Sequence, residues 1–183
     1  MPSVTEFVLG TTIAFSFILF GNAITQSIMG VPALLVDFPP PSSPEHAARA
    51  RLLGRQWPVF WVVGNNFFRP ISTLGVFGYA YAAWAAASSS QESARLGDWR
   101  VYALSSLCHL ITVVHSAVNM QPINEKLDAL AVAAGEQKEG KIISGGVDVA
   151  LAETYARRWI QFNTVRMITP VVAGSLVLWQ VLR

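Results

Sequence analysis

Inside otherwise apolar runs, this chain carries a histidine, two arginines and a set of asparagines whose spacing could do chemistry. His115 and Asn119 stand four residues apart in the stretch from Cys108 to Met120, and Thr112, His115 and Asn119 line one side of a helix. Trp61, Asn65 and Arg69 repeat every four residues, with Asn66 beside them, and Trp159, Asn163 and Arg166 recur at four and three. Asn22 and Gln26 form a further pair at helical spacing. A histidine can be neutral near pH 7 and act as a base. Arginines and amides can hold a developing anion, and tryptophans supply flat walls. A nucleophilic Ser or Cys arrangement, a phosphate-cradling glycine loop, a carboxylate pair and a dinucleotide fingerprint are all missing. The inventory suits proton abstraction from a flat, lipophilic carbon acid. His115 would take the proton, and Arg69 or Arg166 with asparagine donors would hold the enolate-like oxygen. A carbanion of that kind can react with oxygen unaided, so no cofactor is expected. Two plainer readings stay open: His115 as a structural core histidine, and Arg69 as a snorkelling anchor at a helix end.

The elements that must position these residues follow from composition. Of 183 residues 52% are hydrophobic and 13% charged, against about 25% charged in an ordinary soluble domain, so a solvent other than water is required. The expected fold class is all-α, an integral membrane four-helix bundle with two longer loops on one side. It forms a single transmembrane domain over residues 1–183, with helices at about 5–33, 57–87, 99–120 and 155–181. The first run is read as a span rather than a signal peptide, because no Lys or Arg precedes it and no Ala-x-Ala-like site follows its core. Trp57-Pro58 would open the second helix, with proline in its first turn. Before it, the prolines of 37–44 break the chain. The segment 45–55 then either lies flat in the headgroups or leads on as a solvated turn. Ser88–Glu92 would end the second helix. The charged stretch Gln121–Tyr155, with a flexible centre at Ser144–Gly146, reads as a helical continuation and a solvated hairpin, or as a lid.

Basic residues orient the bundle. Arg49, Arg51, Arg55, Lys126, Lys138, Lys141, Arg157 and Arg158 fall in the two long loops, against Arg95, Arg100 and Arg183 on the other side. Both long loops are therefore expected to face the cytosol, with both termini opposite. Alternating helices would then bring Asn22, Gln26, Asn65, Asn66, Arg69, His115, Asn119, Trp159, Asn163 and Arg166 to one depth near the cytosolic boundary, as one polar pocket. The plainer account of that layer is interhelical hydrogen bonding. The net charge of +2 does not suggest nucleic-acid binding, and the lone Cys108 cannot form an internal disulfide. His109 lies six residues from His115 and so on another face. With no carboxylate partner in the apolar runs, no metal site is expected.

Pro122-Ile123-Asn124-Glu125-Lys126-Leu127 and Trp159-Ile160-Gln161-Phe162-Asn163-Thr164-Val165-Arg166, together with the order of apolar segments, resemble the membrane protein family that includes the fungal anthrone oxygenases. That resemblance implies oxidation of an anthrone, an aromatic polyketide of secondary metabolism, to an anthraquinone by molecular oxygen, with no bound cofactor. Asn124, Trp159, Asn163 and Arg166 are the positions that carry over. The expected partners are a lipophilic aromatic substrate, molecular oxygen and the lipid bilayer, and a homo-oligomer stays open. The membrane would be the endoplasmic reticulum if the source is fungal. Two other classes compete: a non-catalytic membrane scaffold, and a haem- or quinone-binding redox protein using His109 or His115.

Overall fold

A computed structural model of the protein describes residues 3–88, 95–138 and 147–183. Among these every regular element is helical. Helix α1, Val4–Thr25, continues through a π-helical turn, Gln26–Gly30, into the short α2, Val31–Leu34. Helix α3 runs His46–Ser88. Helix α4, Trp99–His115, passes through a second π-helical turn, Ser116–Met120, into α5, Gln121–Lys138. A 3-10 turn, Val149–Leu151, opens α6, Ala152–Val181. Starts are marked by caps: the Asp98 side chain accepts from Arg100 N–H at 3.0 Å, and the Asp148 side chain from Ala150 N–H at 2.9 Å.

Helix α3 begins at His46 rather than at Trp57, so residues 46–55 are helical and not a solvated turn. Their alanines, leucines and arginines are strong helix formers. Pro58 and Pro70 consequently lie inside a helix, as Pro170 does in α6. An interior proline costs about 3 kcal/mol, which burial of Ala50, Leu53 and Trp57 offsets. The helical continuation after Met120 extends as far as Lys138. Ser89–Glu92, Glu139, Lys141 and the Ser144–Gly146 centre of the second loop lie outside the described residues.

The chain forms two compact units. The first takes residues 1–23, 67–116 and 165–183, and the second takes 24–66 and 117–164. In the first, α1 buries Leu9, Thr12, Ser16, Leu19 and Ala23, a stripe at three-and-four spacing. Several small residues face inward and several large ones outward, although Tyr79 and Tyr102 are fully buried too. Ala82, Ala86 and Ala173 are at most 1% exposed, whereas Phe77 and Trp84 are each 66% exposed. In the second unit the core is Leu53 and Trp57 of α3, Ile123, Leu127 and Leu130 of α5, and Ala152, Ala156 and Trp159 of α6. Helix α5 approaches α3 at Gly54, where a Cβ would strike the backbone of Leu130 and Ala131.

Among the described residues, three helical stretches are long and apolar enough to cross a membrane: Val4–Leu34, Trp99–Ala134 and Val149–Val181. Helix α3 is not among them, because Ser72, Gly75, Gly78, Tyr79, Tyr81 and Trp84 dilute its apolar half.

Candidate functional site

In the second unit, three helices meet around one amide. Asn124, near the start of α5, is buried, and its Oδ1 accepts from Trp159 Nε1 at 2.9 Å and from Trp57 Nε1 at 3.3 Å. The two indoles pack edge to face with centroids 5.4 Å apart. Both lone pairs of that oxygen are engaged, so it ties α3, α5 and α6 together. One turn after Trp159 on α6, the fully buried Asn163 donates from Nδ2 to Ser27 Oγ at 2.8 Å. Asn124, Trp159 and Asn163 are thus brought together, with Trp57 and Ser27 as partners that sequence reasoning did not name. Asn65 is half-buried, while Asn66 and Asn119 are exposed. Two further polar atoms here, Gln26 Oε1 and Trp61 Nε1, are buried without a hydrogen-bond partner among the described residues.

The first unit holds the remaining candidates. His115 is half-buried in the last turn of α4, Arg166 is half-buried on α6, Arg69 is exposed on α3, and Asn22 is half-buried near the end of α1. Thr112 is buried, His115 half-buried and Asn119 exposed, so that stripe turns outward as it enters the π-helical segment. A turn closed by i→i+5 bonds is wider than 3.6 residues, which ends the three-and-four rule there. Asn22 Nδ2 is buried without a partner among the described residues. Arg166 has no acidic partner among them either; their ion pairs join Arg95 to Glu6 and Arg157 to Glu153.

His109, set aside by spacing, is the fully buried histidine of this unit. Its Nε2 lies 2.9 Å from Ser16 Oγ, which lies 2.9 Å from Tyr79 OH, and its Nδ1 lies 3.3 Å from the Ser72 carbonyl oxygen. With Nδ1–H donating to that carbonyl, Nε2 accepts from Ser16, and Ser16 accepts from Tyr79. The ring fits because Gly75 has no Cβ to occupy its place. A metal or haem could bind His109 only by breaking one of these bonds. Among the described residues no three His, Cys, Asp or Glu side chains converge as a metal site would require. The small residues Ser16 and Gly75 were its only signal in the sequence.

Comparison with known families matches residues 57–176, well over half of the chain, to a family described as anthrone oxygenase. No curated protein and no solved structure matches the chain.

Proposed function

We propose that this chain, which belongs to the anthrone oxygenase family, is a multi-pass membrane oxygenase that converts an anthrone to an anthraquinone with molecular oxygen. His115 removes a proton from the methylene carbon of the substrate. Arg166, with Arg69 and the amide of Asn22, holds the oxygen on which the negative charge then sits. The carbanion gives up electrons to oxygen and forms a C–O bond to it, and the resulting peroxide takes a proton. Loss of the second methylene hydrogen with cleavage of the O–O bond leaves the new carbonyl and water. One oxygen molecule is consumed for each quinone and water formed.

The observation that carries this reading is Arg166, a half-buried cation on an apolar helix with no acidic partner among the described residues. A charge set in an apolar span is costly even on the lenient insertion scale, and an anionic oxygen bound beside Arg166 would compensate it. The sorting of large side chains outward and small or hydroxylated ones inward supports a lipid setting. Lipid rewards close helix approach rather than burial of bulk. In this reading α3 is the fourth span, with Val59, Phe67, Leu74, Phe77 and Trp84 exposed along it, and the long loops face the cytosol.

The test is oxygen uptake by detergent-purified, chelator-treated protein given a hydroxylated anthrone. Uptake mole for mole with quinone, above the spontaneous rate, is expected. No protein-dependent conversion with the helical signal intact would sink the oxygenase reading in favour of a scaffold.

A further inference from the structure

The second unit contains a buried donor and a buried acceptor without a hydrogen-bond partner among the described residues. Helices α3 and α6 run side by side in the same direction there. His46 Nε2, at the start of α3, lies 2.9 Å from the Val149 carbonyl oxygen just before α6. Further along, Trp57 meets Trp159. The next turn of α3 therefore brings Trp61 to the level of Asn163, the next turn of α6. The π-helical segment reaches the same level, because its Ser27 accepts from Asn163 at 2.8 Å. Gln26 is the neighbour of Ser27, and Phe60 would touch a Cβ placed on Gly30, so this segment lies against the turn of α3 that contains Trp61.

At that level Trp61 Nε1–H has nothing to donate to and Gln26 Oε1 has nothing to accept from among the described residues, although both atoms are buried. The layer one turn earlier, Trp57–Asn124–Trp159, satisfies every indole N–H it contains. Buried polar groups left unpaired are a cost that folded proteins otherwise avoid, so a pair of them calls for an occupant. The two are complementary: one neutral donor and one neutral acceptor, beside aromatic rings.

We propose that Trp61 and Gln26 form a subsite for a flat aromatic ligand bearing both a ring carbonyl and a phenolic hydroxyl. Trp61 donates to the carbonyl oxygen, and Gln26 Oε1 accepts from the hydroxyl. Both groups are uncharged, so the ligand is held in its neutral form. The inference rests on the oxygenase reading only for the class of ligand. Gln26 lies outside the residues matched by the family, so the match does not assign it.

The test uses full-length protein in nanodiscs, with empty discs subtracted, and two quinones already at the product oxidation level: 2-hydroxyanthraquinone and unsubstituted anthraquinone. Wild-type protein should bind the hydroxylated quinone about tenfold more tightly. Gln26→Leu should erase that preference while leaving anthraquinone binding unchanged. Trp61→Phe keeps a ring and removes the N–H, and should weaken both ligands by a similar factor. Neither atom bonds to protein among the described residues, so Gln26→Leu should not melt below wild type, whereas Trp61→Phe also trims a ring packed on the core and loses some stability whatever the N–H does. A lowered melting temperature in Gln26→Leu would show that the amide serves the fold and overturn the subsite. So would a preference that survives Gln26→Leu, or no preference in the wild type. These outcomes separate from the fate of the oxygenase reading. Preferential binding without anthrone turnover would sink the enzyme and keep the subsite, whereas turnover without preference would sink the subsite alone.

Discussion

His115→Ala protein is expected to remain folded and helical while protein-dependent oxidation of an anthrone falls about 10²–10⁴-fold, the usual contribution of a positioned general base. The side chain is half-buried at the end of α4, so its removal leaves no large void. Quinone absorbance under initial-rate conditions measures the loss, and far-ultraviolet circular dichroism checks the helices. Added imidazole should restore part of the rate, because a small base can occupy the space left by the ring. Such rescue distinguishes a missing base from a damaged fold. Undiminished turnover in the variant would remove His115 from the mechanism and leave its proton to another group.

The second large effect is on stability. Asn124→Leu takes away the acceptor that two buried indole N–H groups, Trp57 Nε1 and Trp159 Nε1, share. Each orphaned donor costs about 1–3 kcal/mol, and the new side chain must fit where an amide did. A marked fall in melting temperature is expected. Adding Trp57→Phe and Trp159→Phe removes both donors, so the triple variant should regain part of the loss despite its smaller rings. An Asn124→Leu protein that melts with wild type would refute the lock. Since Oδ1 is already engaged twice, lost turnover in this variant would act through the fold rather than through a missing contact with substrate.

The four apolar segments were legible because length and lack of charge suffice to mark them. Their ends were not. Pro58 looked like a helix start because proline suits a first turn, yet the alanine- and leucine-rich residues before it carry α3 back to His46. The π-helical turns have no residue signature, since an i→i+5 bond is a matter of backbone fit. Asn124, Trp159 and Asn163 stood out in short motifs, and the structure brings them together. Trp57 and Ser27, which complete their hydrogen bonds, are joined to them only by long-range packing. His109 illustrates the same limit. Helical spacing separates it from His115, but which of the two faces inward depends on Ser16 and Gly75 of other helices.

The outward placement of many large side chains in the first unit also shifts the usual map of mutational tolerance. In a water-soluble core, trimming a large side chain is the costly change. Here the packed positions include Ala82, Ala86, Ser105 and Ala173 beside Tyr79 and Tyr102, so at the small positions enlargement is what the interior cannot accept. Phe77, Trp84, Leu104, Leu107, Leu110 and Ile111 stand outside that packing. Their identity answers to the surrounding solvent rather than to neighbouring helices. A water-compatible analogue of this unit would accordingly be sought by recolouring those outer positions with polar residues, while every small residue within is left untouched.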